Sequence, residues 1–211
     1  LETIRTWVSK TNRTEALGIA VSLDTDDASM ADFTEDDLPP VAWKKVFRSP
    51  NKTKIQACNA NMKEIDWDWE VVILVSDDMV PEVEHYDERL REVMTEEFDK
   101  AIWVYDGFQN EKLNTLSILG RRVYEQWGYI YHPDYKSFFC DNEFTDWCKA
   151  NPSKCAIIPE VLIRHKHPLV TGEAFDALYS RNQTYLDEDR KTYERRTAPQ
   201  KMGFLKLLSR R

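Results

Sequence analysis

The sequence predicts an α/β protein in which a mostly parallel central sheet is flanked by helices. Apolar runs rich in β-branched residues recur along the chain, and segments with helical spacing lie between them. The clearest run, residues 69–79, is too short to cross a membrane and ends in Asp77 and Asp78. Continuous apolar runs of this kind are typical of strands buried in a parallel sheet.

The other elements are assigned from spacing and composition. Further strands are predicted at residues 17–23, 101–105, 116–122 and 161–168, and helices at residues 1–10, 51–61, 82–94, 122–127, 141–148 and 172–196. Residues 28–50 are polar and contain Pro39 and Pro40, so we expect a loop or short irregular elements there. A short amphipathic basic helix at residues 201–208 suggests a domain at 1–185 followed by a C-terminal helical tail at 186–211.

Acidic residues directly follow three of the predicted strands. They are Asp24 and Asp26 after the first, Asp77 and Asp78 after the second, and Asp106, beside Gly107, after the third. The carboxyl ends of parallel strands share one edge of a sheet, where ligands bind, so these groups could hold a divalent cation against phosphate oxygens. Alternatively, Asp77 and Asp78 cap a helix, and Asp26 belongs to a solvated acidic loop.

A second acidic pair, Asp141 and Glu143, opens the helix predicted at 141–148. Carboxylates in a first turn can simply complement the helix dipole. One of them could equally be a general base, held in a half-buried cleft with a pKa near the working pH.

Two histidines end the last predicted strand. Because His165 and His167 alternate along it, they lie on one face and could bind a metal or a phosphate, or they could be structural. Lys54 could reach a phosphate or a base from its helix, or remain solvated. The aromatic stretch at residues 128–135 is either core and turn or a wall on which a sugar stacks.

Charge and cysteine content restrict the class of protein. The net charge of −8 over 211 residues argues against a nucleic-acid binder. Residues 190–211 carry eight Lys or Arg and one Glu, so this tail could dock on the domain, on a partner or peripherally on an anionic membrane surface. Four cysteines without zinc-site spacing are compatible with free thiols in a reducing cytoplasm.

No transmembrane segment or signal peptide is predicted. The chain opens on Leu1, and residues 1–8 read as the middle of a longer segment, so we expect an N-terminal piece to be missing.

Several stretches together, in order, resemble the GT-A fold glycosyltransferases, closest to family 2-like members of phage and environmental type. The matching stretches are residues 21–27, 54–59, 68–79, 106–107, 128–133, 140–144 and 165–168. The resemblance implies a GT-A type, Rossmann-like sheet with a nucleotide-sugar donor across its carboxyl edge. It departs from the family because no first strand precedes Leu1, and because Asn142 interrupts the acidic pair.

The resemblance also implies roles for individual residues. Asp24, Asp26, Lys54, Asp77, Asp106 and Gly107 would bind the nucleotide sugar, with a UDP-sugar as the leading donor. Asp78, with His165 or His167, would coordinate Mn²⁺ or Mg²⁺. Asp141 or Glu143 would be the catalytic base that deprotonates a carbohydrate or other hydroxyl acceptor.

The expected function is therefore a metal-dependent, inverting glycosyltransferase. A degenerate, non-catalytic sugar- or partner-binding module of the same fold is an alternative. A nucleotidyltransferase is another, although such enzymes normally open with a glycine-rich phosphate loop and the six glycines here are not clustered. A metal-dependent phosphohydrolase is the weakest alternative.

Overall fold

The computed structural model describes residues 1–50, 53–172 and 177–208, and shows a mixed α/β chain. Its strands are β1 (Gly18–Asp24), β2 (Trp43–Ser49), β3 (Val71–Leu74), β4 (Met79–Pro81), β5 (Ala101–Tyr105), β6 (Ser117–Gly120), β7 (Cys155–Val161) and β8 (Ile163–His165). Its helices are α1 (Glu2–Ser9), α2 (Lys54–Met62), α3 (Tyr86–Val93), α4 (Arg121–Trp127), α5 (Cys140–Ala150), α6 (Pro168–Thr171), α7 (Ala177–Gln183) and α8 (Leu186–Leu208). The predicted α/β class is confirmed at this level.

The central sheet is only partly parallel. Its four strands lie in the order β3-β6-β5-β7. β5 pairs in parallel with β7, whereas β6 is antiparallel to both β3 and β5. It follows that β3, β5 and β7 run in the same direction and that β6 alone is reversed.

Two smaller sheets accompany the central one. β1 pairs in parallel with β2 along its whole length, from Gly18 opposite Trp43 to Asp24 opposite Ser49. β4 pairs in antiparallel fashion with β8, which places Met79 opposite His165. The single parallel sheet that the sequence predicts is therefore divided into three in the described part of the chain.

Three strands were not predicted, and each has a local reason. β2 lies in the segment expected to be irregular, and its Lys44, Lys45 and Arg48 hide the apolar pattern. β7 contains Pro159 and lies at the edge of the central sheet, where a missing ladder N–H is tolerated. β4 has only three residues, in a segment where helix capping had been an open alternative.

The core lies on both faces of the central sheet, because successive side chains of β5 point in opposite directions. Ala101 and Trp103 pack in a cluster with residues of α4 and α5. Ile102 and Val104 pack in a second cluster that includes Trp7 of α1. β3, predicted to be buried, is only half-buried at every residue because it is an edge strand.

The start of α8 packs on α5 rather than extending away from the domain. The Tyr193 hydroxyl donates a hydrogen bond to Asp146, and the Arg196 guanidinium binds Glu143 with two nitrogens. Nothing in the structure reports on the side chains of residues 199–208, which include most of the predicted amphipathic segment. Among the described residues, no helix has the length and apolar character needed to cross a membrane.

Candidate functional site

Three strand ends meet at one edge of the molecule. The backbone makes the junction: the His165 amide donates to the Asp106 carbonyl oxygen at 2.9 Å, and the Lys166 amide donates to the Asp78 carbonyl oxygen at 2.8 Å. The ends of β5 and β8 and the start of β4 are thus held together. Asp78, Asp106 and His165 consequently face one another, although they are far apart in the sequence.

The His165 imidazole lies between the two carboxylates and is only 11% exposed. Its Nε2 is 3.1 Å from Oδ2 of Asp78, and its Nδ1 is 3.5 Å from Oδ2 of Asp106. Burial alone would lower the pKa of His165, but the two carboxylates raise it to about 9. At neutral pH the imidazole is therefore positively charged and paired.

Asp106 anchors this arrangement. It is 1% exposed. Its Oδ1 accepts hydrogen bonds from the amides of Phe108, Gln109 and Asn110, and its Oδ2 accepts one from the Thr115 hydroxyl. Burial alone would raise the pKa of this carboxyl group, but the His165 imidazole 3.5 Å away, the hydrogen bond from Thr115 and those amides hold it well below its usual value.

Asp106 and Gly107 lie in a tight turn directly after β5. The Asp106 carboxylate is occupied by the protein itself. Gly107 has φ of +76°, and a β-carbon there would lie 2.6 Å from a guanidinium nitrogen of Arg164. The pair forms a turn at the edge of the site, and its predicted contact with a nucleotide sugar stays a prediction.

Asp78 has an available acceptor. Its Oδ1 is buried and has no hydrogen-bond partner among the described residues, while Oδ2 binds His165. Burial would raise the pKa of Asp78, but the hydrogen bond and charge of His165, with the charge of Lys54, keep it below its ordinary value. A buried, ionised oxygen without a partner suits a cation.

Asp78 and His165 could supply two ligands of a metal site whose other ligands come from water and substrate. Within the described ranges, no three His, Cys, Asp or Glu side chains are grouped so that they could hold a metal. Mg²⁺ sites commonly use one or two protein carboxylates and complete the shell with water and substrate phosphates. Asp106 behind His165 also matches the carboxylate–histidine pairing that orients metal-binding imidazoles.

His167 lies beside this cluster. Its ring stacks on Phe108 with centroids 4.9 Å apart, and contacts the His165 ring edge-to-face at 5.3 Å. Burial, and then the charge of His165, lower the pKa of His167. Its charge state therefore differs from that of its neighbour.

Lys54 extends the site toward β3. It is the first residue of α2, whose N-terminus is capped by the Thr53 side chain, and its Nζ donates to the Ser76 hydroxyl at 2.7 Å. The charge of Lys54 also lowers the pKa of both Asp78 and Asp141. Asp77 is exposed, and its carbonyl oxygen accepts a hydrogen bond from Thr3.

The acidic pair on α5 divides between two surroundings. Burial raises the pKa of Asp141, and the charges of Lys54 and His165 partly oppose this, so Asp141 shares the electrostatic field of the site. Glu143 instead binds Arg196 and accepts from the Tyr135 hydroxyl. Of the two candidate bases, only Asp141 is without a cationic hydrogen-bond partner in the described part of the chain.

Asp24 and Asp26 lie at the end of the neighbouring small sheet. Asp24 is half-buried, and Arg181 of α7 approaches its Oδ2 at 3.4 Å. The Nε of Arg181 is buried with no hydrogen-bond partner among the described residues. Asp26 is exposed in the turn that follows β1.

The aromatic stretch at residues 128–135 is mainly core and turn. Tyr131 and Tyr135 are buried. Tyr129 and His132 line a cleft of about 90 Å³ together with side chains of α4 and α5. This cleft is adjacent to Glu143 rather than to the Asp78 cluster.

Comparison with protein-family models, with curated proteins and with solved structures finds no match to this chain. The geometry of the strand-end cluster is therefore the basis for any functional conclusion.

Sequence reasoning missed two arginines that pair with predicted site residues. Arg181 and Arg196 reach Asp24 and Glu143 from the C-terminal helices, across 157 and 53 residues. A cation on a polar helix carries no sequence signal for its partner. Its position becomes apparent only once the helices are packed.

Proposed function

We propose that this protein is a metal-dependent glycosyltransferase that moves a sugar from a nucleoside-diphosphate donor, with UDP as the leading nucleotide, to a hydroxyl acceptor. The observation that carries the proposal is the cluster at the strand ends. It combines an ionised carboxylate that has an open oxygen, Asp78, with a buried imidazole and a lysine, and the charges of Lys54 and His165 also act on the buried carboxyl group of Asp141. These are the groups that transfer from a diphosphate leaving group requires.

The acidic and basic groups would divide the work of binding the donor. Asp78 would hold Mn²⁺ or Mg²⁺ through its open oxygen, and His165 would become a ligand once the metal displaces the proton from its Nε2. The metal would neutralise charge on a leaving diphosphate. Lys54 would exchange its bond to Ser76 for one to a phosphate oxygen. Asp24, with Arg181 beside it, would contact the nucleoside.

Asp141 would serve as the base. Its burial raises its pKa toward the range in which a carboxylate accepts a proton effectively near neutrality. As the acceptor oxygen forms its bond to the sugar and the bond to the diphosphate breaks, the hydroxyl proton would pass to Asp141. Direct displacement by an oxygen deprotonated in this way inverts the sugar carbon.

The sheet supports a GT-A type fold at the level of topology. Strands β3, β5 and β7 run in the same direction. Asp106 directly follows β5 and Asp78 lies a few residues beyond β3, on the side of the sheet where ligands bind in open α/β folds.

The test combines binding with turnover. Wild-type protein is screened by thermal shift against UDP-, GDP-, CDP- and dTDP-sugars, with and without Mn²⁺, and then assayed for donor hydrolysis and transfer. We expect a metal-dependent shift with one nucleotide, and a loss of about 10²-fold or more in kcat for Asp141→Asn. Asp78→Asn should abolish the metal dependence.

Exposed Asp32 provides the control, because Asp32→Asn makes the same chemical change at a residue that has no role in the proposed mechanism. Wild-type rates in both Asp78→Asn and Asp141→Asn would refute the mechanism. Metal-independent sugar binding without turnover would instead favour the non-catalytic binding module.

A further inference from the structure

Asp189 is a fully buried carboxylate in the first turn of α8. Its side chain is 0% exposed. Oδ1 accepts a hydrogen bond from the Lys136 amide at 2.9 Å, and Oδ2 accepts from the amides of Ser137 and Phe138 at 2.8 Å each. Three consecutive amides thus converge on a single side chain 51 to 53 residues away.

Those amides belong to the turn that leads into α5. Phe139 follows them with φ of +61°, a left-handed conformation that is unfavourable for a bulky residue and persists only where its surroundings hold it. α5 begins at the next residue, Cys140, and carries Asp141. The path of residues 136–139 therefore sets the direction in which Asp141 projects.

α8 also holds the side chain of this turn. The Phe139 ring stacks on Tyr193 with centroids 5.7 Å apart, and the Arg190 guanidinium lies 5.9 Å from the Phe139 centroid. Backbone and side chain are thus both fixed from α8. Glu188, next to Asp189, makes only a half-exposed ion pair with the Lys136 side chain.

We propose that Asp189 is a positioning residue, which holds the turn at residues 136–139 and thereby fixes the first turn of α5, which carries Asp141. Its consequence for catalysis rests on the proposed function, whereas the positioning itself does not. The charge matters as well as the shape, because Asn at this position would replace one acceptor oxygen by an NH₂ group that faces backbone donors.

The experiment compares Asp189→Asn with the matched control Glu188→Gln. Three quantities are measured in each: the exchange rates of the amides of residues 136–138, the carboxyl pKa of Asp141 by carbon NMR, and kcat and KM for transfer. The groups that act on the pKa of Asp141 are the amide of Asn142, which donates to its Oδ1, and the charges of Lys54 from α2 and His165 from β8. Asp141 in turn raises the pKa values of its buried neighbours Tyr131 and Cys140.

For Asp189→Asn we expect faster amide exchange and a lower pKa of Asp141, since movement of the turn exposes that carboxyl group. We also expect kcat to fall by about 10- to 100-fold with little change in donor KM. Glu188→Gln should match the wild type in all three quantities.

The proposal is overturned if Asp189→Asn folds, exchanges faster at residues 136–138 and leaves the pKa of Asp141 at its wild-type value, because Asp189 would then be merely structural. If Asp189→Asn does not fold, Asp189→Glu keeps the charge and moves it by one methylene. In that variant a shifted pKa of Asp141 supports the proposal and an unchanged pKa refutes it. Should the wild type transfer no sugar, the titration of Asp141 still decides the matter.

Discussion

His165 stands between two carboxylates whose surroundings differ sharply. The Asp106 carboxylate accepts bonds from three amides and a hydroxyl, whereas Asp78 retains a buried oxygen without a partner among the described residues. The hydrogen-bonded Asp106 carboxylate fixes the geometry of the turn and of His165, whereas the open oxygen of Asp78 is available to bind a cation. The two aspartates therefore have distinct tasks despite their similar positions after strands.

Replacement of Asp106 by Asn tests the anchoring task. The substitution keeps the volume but directs an NH₂ group at donors or leaves them unpaired in a buried place. We expect a loss of about 3 kcal/mol in the free energy of unfolding. Because the orientation of His165 also depends on Asp106, Mn²⁺ affinity should fall by about 10- to 100-fold.

Urea unfolding and Mn²⁺ titration measure the two effects, with Asp32→Asn as the control. Wild-type stability together with wild-type Mn²⁺ affinity would contradict the anchoring role.

The sequence identifies Asp78 and Asp106 as strand-end acids, but it does not separate their roles. The difference arises from the amides of residues 108–110 and from Thr115, which fold back onto Asp106 alone. Likewise, the sequence does not distinguish Asp141 from Glu143, and the structure does so because Arg196 binds Glu143.

Among the elements, α1 acts as a brace along β4 and the acidic turn before it. The Thr3 hydroxyl donates to the Asp77 carbonyl oxygen at 2.7 Å, and the Trp7 indole donates to the Met79 carbonyl oxygen at 2.9 Å. At the far end of α1, the Asn12 amide donates to Asp87 of α3 at 2.8 Å. The backbone around Asp78 is therefore supported by an element that precedes it by about seventy residues.

The Asp87 contact makes this brace sensitive to acid. Burial alone would raise the pKa of Asp87, but the bonds from the Asn12 amide and Arg91 lower it. A depressed folded-state pKa contributes stability that is present above the unfolded value, about 3.9, and is lost as the pH falls through the folded value. We expect Asp87→Asn to lose stability at neutral pH and to show a shallower decline below about pH 4 than the wild type.

Urea unfolding at a series of acidic pH values measures this decline. Asp32→Asn should keep the wild-type pH dependence. Parallel curves for Asp87→Asn and the wild type would show that Asp87 contributes nothing to acid sensitivity.

β5 was predicted correctly from an apolar run that matches its burial, whereas β1 was predicted from a similar run although none of its residues is fully buried. β1 and β5 are recognisable because apolar residues lead directly into acid. β2 was missed because a strand of a two-stranded sheet can carry charged residues: Arg48 is exposed, and Lys44 and Lys45 are half-buried. Neighbouring strands, rather than local sequence, decide whether such a segment pairs.

For the molecule as a whole, the C-terminal helix is part of the fold. Asp189, Thr192 and Thr197 of α8 are buried. The sequence predicts a basic helical tail from residue 186 that could dock on the domain, on a partner or on an anionic surface, but it does not identify which residues would make the contact. The contacts with α5 and with the turn before it depend on packing that no local pattern reveals.

Truncation after residue 185 tests this integration. The shortened chain would leave the amides of residues 136–138 and the Glu143 carboxylate without their buried partners. We expect it to lose cooperative thermal unfolding, as measured by circular dichroism, while the full chain keeps it. A truncated chain that melts cooperatively at the wild-type temperature would show that the tail is separable after all.

The division of the sheet has a consequence for how a ligand would be detected. Asp24 ends β1 in the β1–β2 sheet, and Asp78 directly precedes β4 in the β4–β8 sheet. In the described part of the chain these two sheets share no strand. A ligand that contacts both aspartates would therefore link two sheets that are hydrogen-bonded separately. Binding of such a ligand would slow amide exchange along β1 and β2, away from the metal site at Asp78. A smaller ligand that contacts only the Asp78 side would leave the exchange along β1 and β2 unchanged.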